Sequence, residues 1–158
     1  MDEYSQAFGR ELMLHGPADT EALGARIAAG LRVGTAVALE GDLGAGKTVL
    51  ARSILRALGV EEDVPSPTFT LVQSYETAKL PVRHYDLYRI EKATEMEELA
   101  LEEALDEGAA LIEWPERASA YIPDDALHVR LEIAGENSRR AFLSGPHRWA
   151  RELETLKS

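Results

Sequence analysis

The sequence lacks several features that would point to particular classes of protein. It has no cysteine, which excludes disulfide bonds, thiolate metal sites and a cysteine nucleophile. No apolar run reaches the roughly 18 residues that suggest a membrane-spanning helix, and the first residues are acidic where a signal peptide is basic. From these absences we expect a cytoplasmic protein.

Basic residues are also scarce, with 17 Lys and Arg against 28 Asp and Glu and a formal net charge of −11. Non-specific binding to nucleic acid depends on Lys and Arg that neutralise phosphates, so such an acidic chain is a poor nucleic-acid binder on its own. Its 158 residues suit one domain with a substantial core, which we expect to span residues 1–158.

Strand and helix patterns alternate along the chain. Strands are predicted within 8–17, 34–41, from about Thr68, 81–90, 109–117 and 126–135 with a following hairpin. Helices are predicted from an N-cap at Asp19 or Thr20, over 47–58, over 93–108 as one helix or two, and near the end over 147–156. This alternation predicts an α/β fold with a mostly parallel sheet, made mixed by two hairpins and flanked by helices.

The segment "GDLGAGKT" carries the strongest chemical signal. Gly41, Gly46, Lys47 and Thr48 fit the phosphate-loop pattern, with a further glycine at Gly44. Glycines let backbone N–H groups approach phosphate oxygens, the lysine charge reaches the β and γ phosphates, and the threonine hydroxyl can ligate Mg²⁺. A predicted strand precedes the loop and a predicted helix follows it, which is the context that phosphate binding requires.

Two acidic residues are candidates to assist the loop, since phosphoryl transfer needs a carboxylate near Mg²⁺. Glu113 ends the apolar segment "AALIE", and Asp86 lies late in "HYDLYR", where the strands of α/β sheets gather ligands. Trp114 either stacks at the site or belongs to the core. The loop 66–70, "SPTFT", either senses the γ-phosphate or is a rigid entry to a strand.

Other classes of phosphate-binding protein fit less well. A small-molecule kinase of the P-loop class is the main alternative, but such kinases usually carry an arginine-rich lid, and Arg83, Arg89 and Arg117 are scattered. A GTPase would carry an N-K-x-D motif for the base, which is absent, and "LSGP" is not the signature loop of an ABC-type ATPase. His84 and Asp86 form only an isolated H-x-D, which is weak as a metal site.

Four motifs in order, "GDLGAGKT", "SPTFTLVQSYE", "HYDLYRI" and "LIEWPER", resemble the bacterial TsaE (YjeE) family. The resemblance implies a P-loop α/β fold that binds ATP or ADP with Mg²⁺ and serves threonylcarbamoyladenosine (t6A) modification of tRNA. It implies the partners TsaD, which modifies adenosine 37, and TsaB, with tRNA met only through their complex. ATP hydrolysis in the family is weak alone and is stimulated by that complex.

The resemblance also implies roles for individual residues. Lys47, Asp86 and Glu113 would act in hydrolysis, and Thr48, Glu113 and Asp86 would serve the metal. The last hairpin of the family often has a Gly-Arg pair, which is matched here by Arg139 in "GENSRR". The residues expected to contact the nucleotide are Thr20, Asp42, Leu43, Gly44, Ala45, Gly46, Lys47, Thr48, Val49, Trp114 and Arg139.

Overall fold

The computed structural model describes residues 7–154 and residue 156. The acidic start of the chain, residues 1–6, lies outside the described residues, and so does part of the predicted closing helix. One domain over 1–158 therefore stays a prediction. None of the described helices is long and apolar enough to cross a membrane.

Seven strands within the described residues form one sheet. They are β1 (Ala7–Leu14), β2 (Ala36–Glu40), β3 (Val72–Tyr75), β4 (Val82–Asp86), β5 (Ala109–Glu113), β6 (Leu127–Ile133) and β7 (Arg139–Pro146). The helices are α1 (Pro17–Gly30), α2 (Lys47–Ala57), α3 (Leu101–Glu107) and α4 (Arg148–Leu153), with 3₁₀ segments at Ala93–Leu99 and Pro115–Tyr121.

The strand order is β1-β7-β6-β2-β5-β4-β3. The pairings β6–β2, β2–β5 and β5–β4 at the centre are parallel, whereas β3–β4, β6–β7 and β1–β7 toward the edges are antiparallel. The predicted mixed α/β sheet is thus confirmed. The parallel centre brings the carboxyl ends of β2, β4 and β5 to one edge of the sheet.

Both faces of the sheet are covered, which explains why β2 and β5 read as continuous apolar runs. Leu111 of β5 belongs to a core cluster with residues of α1 and α2, such as Ile27 and Ile54. Its neighbour Ile112 points to a second cluster that includes Met96 and other residues around α3. The alternation along β5 therefore serves two cores, one on each face.

Helix α1 begins earlier than the sequence suggested. Gly16 is its N-cap and Pro17 occupies the first turn, so the predicted caps Asp19 and Thr20 lie inside the helix. Proline suits the start of a helix because its missing N–H would have no intrahelical partner there. The Asp19 carboxylate still accepts a hydrogen bond from the backbone N–H of His15, at 2.8 Å.

Two other boundaries also differ from the predictions. Strand β3 begins at Val72, because residues 68–70 form a turn and Leu71 takes a left-handed conformation with φ of 70°. The segment 93–108 forms a 3₁₀ segment and a short helix, separated by Ala100 at φ 52°. Ile133 is 58% exposed at the end of β6.

Candidate functional site

The glycine loop joins the carboxyl end of β2 to the start of α2. Gly46 is the N-cap of α2 in a left-handed conformation, with φ of 108°. At Gly41, which has φ of 145°, a Cβ would lie 2.6 Å from the carbonyl oxygen of Leu131. The loop thus depends on glycine at both ends, and the first backbone N–H groups of α2 are left without intrahelical partners. Such a helix start favours an anion.

Lys47 is the first residue of α2 and is only 5% exposed. Its Nζ donates hydrogen bonds to the carbonyl oxygens of Gly41 and Asp42 and lies 4.1 Å from the centroid of the Trp114 ring. Burial lowers the pKa of Lys47, and the nearby carboxylates, of which Glu113 has the largest effect, oppose that shift. The ammonium group is thus partly desolvated and would gain from an anionic ligand.

Glu113 lies at the end of β5, directly beside the start of α2, and is 2% exposed. The Thr48 hydroxyl lies 3.0 and 2.9 Å from its two carboxylate oxygens. Since a hydroxyl has one proton, donation to Glu113 leaves the lone pairs of the Thr48 oxygen available to a cation. The geometry brings Thr48 and Glu113 together, and their roles at a metal stay predictions.

Asp86 ends β4 and is paired in register with Glu113 on β5. Its Oδ2 accepts hydrogen bonds from the hydroxyls of Ser66 and Thr68, at 3.1 and 3.0 Å, and its Oδ1 accepts the backbone N–H of Tyr88. Asp86 therefore holds the loop 66–68 against the cleft, while Thr48 pairs with Glu113. A contact of Asp86 with metal or water stays a prediction.

Aromatic rings form one wall of the cleft. The ring of Tyr88 lies 4.8 Å from that of Trp114, and the guanidinium group of Arg117 lies over both rings. Trp114 has a left-handed backbone with φ of 59°, between β5 and the following 3₁₀ segment. Both interpretations of Trp114 hold in part, because its ring covers Lys47 in the cleft and also packs against the second core cluster.

These residues enclose a cleft of about 320 Å³. It is lined by Leu43, Gly44, Gly46, Lys47, Thr48, Val49, Ser66, Thr68, Asp86, Tyr88, Glu113 and Trp114. Sequence reasoning missed Tyr88, although it lies in the quoted motif "HYDLYRI". The sequence indicated His84 only as a weak candidate metal ligand. In the structure its ring is buried outside the lining of the cleft and contacts the carboxylate of Glu113.

A second cavity, of about 180 Å³, adjoins the cleft, since Gly46 and Val49 line both. Its other lining residues are Leu14, Gly16, Pro17, Thr20, Ala45, Leu131, Glu136, Asn137 and Arg139. The predicted contacts Thr20, Ala45, Val49 and Arg139 all line this second cavity. The Asp42 side chain is exposed and lies outside both linings that the structure describes.

Arg139 connects the last hairpin to the glycine loop. Its Nε donates to the carbonyl oxygen of Ala45 at 3.2 Å, and its Nη2 donates to that of Gly44 at 3.3 Å. The guanidinium group thereby supports the loop from the side of β7. This contact gives the sequence match at Arg139 a structural basis.

The oxygen ligands in the cleft suit Mg²⁺. Within the described residues, no group of three or more His, Cys, Asp or Glu side chains could hold a metal ion. Mg²⁺ in phosphoryl-transfer sites is usually bound through one or two carboxylates together with substrate phosphates. Thr48 and Glu113 would supply such a partial set of ligands beside a phosphate-binding loop.

Comparison with known proteins shows the family of this chain. The model of the family described as "Threonylcarbamoyl adenosine biosynthesis protein TsaE" matches residues 14–141. The chain belongs to the TsaE family. Members of this family take part in t6A modification of tRNA.

Proteins named as TsaE show similarity over most of the chain. The Rickettsia felis protein is 40% identical over 129 residues, which cover 81% of this chain and 75% of that protein. The Bacillus subtilis protein is 37% identical over 124 residues, 78% of this chain and 77% of that one. The crystal structure of Bacillus subtilis YdiB superposes with a TM-score of 0.79 at 27% identity, covering 96% of this chain and 95% of that one. The predicted fold class is confirmed by this likeness.

Proposed function

We propose that this TsaE-family chain binds and hydrolyses ATP and acts on the TsaB–TsaD complex during t6A modification of tRNA in the cytoplasm. The observation that carries the proposal is the convergence of Lys47, Thr48 and Glu113 at the start of α2. A phosphate loop, a hydroxyl and a buried carboxylate are the groups that hydrolysis of a nucleoside triphosphate requires.

In this proposal the nucleotide would occupy both adjoining cavities. The phosphates would occupy the cleft beside Lys47, and the nucleoside would extend into the second cavity past Gly46 and Val49. Apolar surface from Leu14 and Leu131 suits a base, and the polar side chain of Asn137 lies nearby. Thr20 lines this cavity, which supports its expected place near the nucleotide.

Each polar side chain of the cleft has a distinct task in this proposal. Lys47 would exchange its contacts with loop carbonyls for the β and γ phosphates, and its charge would stabilise the transition state. Bound Mg²⁺ would supply further neutralisation of phosphate charge. Glu113 would keep Thr48 oriented and hold the water that attacks the γ-phosphate.

The loop 66–68 is placed to respond to the γ-phosphate. Ser66 and Thr68 line the cleft, and both are held by the carboxylate of Asp86. These hydroxyls could donate hydrogen bonds either to the Asp86 carboxylate or to a bound γ-phosphate. The loop 66–68 would therefore have one conformation with the γ-phosphate and another without it. Such a segment would report hydrolysis to a partner bound over the cleft.

The partners of the proposal are TsaD and TsaB rather than tRNA itself. The net charge of −11 opposes direct binding to a phosphate backbone. The family membership supports a place in the same tRNA modification. Contact with tRNA would therefore be indirect, through the complex.

The proposal is tested with the purified protein by isothermal titration calorimetry of ATP with Mg²⁺ and by release of phosphate. We expect ATP binding and slow turnover, and Glu113→Ala should reduce turnover more than ATP affinity. Equal turnover in Glu113→Ala would remove that residue from the mechanism. Transfer of the γ-phosphate to a small acceptor instead of water would support the kinase alternative.

A further inference from the structure

His84 lies behind the cleft rather than in its lining. It belongs to β4, two residues before Asp86, and its side chain is fully buried. Its Nε2 is 2.6 Å from Oε2 of Glu113. The proposed hydrolysis does not use this histidine directly, so the short contact requires its own explanation.

The buried carboxylate of Glu113 needs more than one donor. A carboxylate that is removed from water is costly unless its oxygens accept hydrogen bonds. The Thr48 hydroxyl lies close to both oxygens but carries a single proton. The Nε2–H of His84 can donate a hydrogen bond to Oε2, which leaves the Thr48 hydroxyl free to donate its single proton to Oε1.

The other ring nitrogen of His84 strengthens this assignment. Nδ1 is buried and has no hydrogen-bond partner among the described residues. A proton on Nε2, donated to Glu113, leaves Nδ1 as an acceptor without a buried, unpaired N–H. Glu113 is thus the polar partner that fixes the orientation of this ring.

We propose that His84 is a positioning residue for Glu113. It holds Oε2 so that Oε1 accepts the Thr48 proton, and the Thr48 oxygen remains directed toward the cation site. The inference rests on the proposed function, because the value of this orientation lies in binding Mg²⁺ with ATP. Partners behind a metal ligand commonly affect metal affinity or activity by about 10- to 100-fold.

The same sheet offers a matched control. His128 of β6 lies 3.3 Å through Nδ1 from Oε1 of Glu40, and these side chains are 40% and 35% exposed. Neither residue lines the cleft or the second cavity described above. A water-exposed pair of this kind contributes little, so its loss should leave nucleotide binding and turnover unchanged.

The first test compares His84→Leu, which removes the donor, His84→Gln, which can place an amide N–H near Oε2, and the control His128→Leu. For each variant, kcat, KM and the ratio of ATP affinity with Mg²⁺ to that with EDTA are measured. His84→Leu should lower kcat by about tenfold or more and reduce the affinity ratio by a similar factor. Its ATP affinity in EDTA should change less than about twofold, and His84→Gln should recover much of both losses.

The variants also show whether His84 acts through Glu113. The double variant His84→Leu with Glu113→Gln should be no more impaired than Glu113→Gln alone, because the two groups form one unit. The inference is overturned if folded His84→Leu keeps the wild-type kcat and affinity ratio, or if His84→Gln is as impaired as His84→Leu.

A second measurement tests the His84–Glu113 hydrogen bond, on which the inference depends, even where His84→Leu does not fold. Nitrogen-15 NMR of the imidazole groups, in the wild-type protein without nucleotide, should show a His84 Nε2–H proton protected from exchange. Glu113→Gln should shift that resonance. A His84 ring protonated at Nδ1 alone, or a resonance insensitive to Glu113→Gln, would contradict the proposal.

The two proposals fail in different ways. The wild-type protein could bind no ATP while Glu113→Gln still shifts the His84 Nε2–H resonance. In that case the proposed ATPase function fails, and the His84–Glu113 hydrogen bond has only a structural role. If the wild-type protein hydrolyses ATP and Glu113→Gln does not, while His84→Leu behaves as wild type, only the role of His84 is overturned.

Discussion

The parallel centre of the sheet and its antiparallel side bury different kinds of residue. Around β2, β4, β5 and the start of α2, the interior contains Lys47, His84, Asp86 and Glu113. The side formed by β6, β7 and β1 buries apolar residues such as Leu12, Leu127, Val129, Ala141 and Leu143. Buried charge is costly and is retained where it is paired, so this difference separates the part of the molecule that holds the candidate site from the part that mainly supplies core packing.

Arg139 is the link between the two regions. It belongs to β7, on the apolar side, yet its guanidinium group holds the carbonyl oxygens of Gly44 and Ala45 in the glycine loop. The comparison therefore predicts three kinds of variant: those that remove chemistry, those that remove stability, and one that weakens the link.

The largest effect is expected for Lys47→Ala. The β and γ phosphates would lose their charged partner, so turnover of ATP should fall by about 100-fold or more, while the melting temperature should stay close to that of the wild type. Phosphate release and thermal melting measure the two quantities. Lys92→Ala, which changes an exposed lysine outside the cleft, is the control; comparable turnover in both variants would place the reactive group elsewhere.

Leu143→Ala should show the reverse pattern. Leu143 of β7 is 1% exposed in the larger core cluster, and removing its side chain should lower the free energy of unfolding by about 3 kcal/mol. Chemical denaturation measures this loss. ATP affinity below the melting transition should be unchanged, and a selective loss of ATP affinity in a stable variant would contradict the division between the two regions.

The smallest effect is expected for Arg139→Ala. The hydrogen bonds to Gly44 and Ala45 are worth about 1 kcal/mol each, so their loss should lower the melting temperature by several degrees. The glycine loop would be held less firmly, and ATP binding should weaken by roughly three- to tenfold. Arg140→Ala, at the neighbouring half-buried position paired with Glu11, is the control. Calorimetry that gives equal ATP affinities for the two variants would show that the hairpin does not support the loop.

The local parts of the site could be predicted from the sequence. The glycine loop, Lys47 and Thr48 follow each other along the chain, and the phosphate pattern depends on that spacing alone. Glu113 could be placed because it ends an apolar strand. The mixed sheet was predicted from the alternation of strands and helices together with two hairpins.

The contacts between distant segments could not be predicted in the same way. His84 meets Glu113 because β4 lies beside β5 in parallel register, and neither the strand order nor the register is written in the local pattern. The attachment of Ser66 and Thr68 to Asp86 likewise depends on how a loop folds over the sheet. Helix α1 begins before the predicted caps Asp19 and Thr20, because Pro17 starts it after Gly16 without a side-chain cap.

The central claim, ATP hydrolysis in the service of a partner complex, is tested most directly by one measurement. Phosphate release by the purified protein is followed with and without the TsaB–TsaD complex and tRNA, with the Lys47→Ala variant in parallel. We expect slow hydrolysis alone, faster hydrolysis with the complex, and no added turnover with Lys47→Ala. Wild-type hydrolysis that the complex leaves unchanged, or added turnover that persists in Lys47→Ala, would contradict the account.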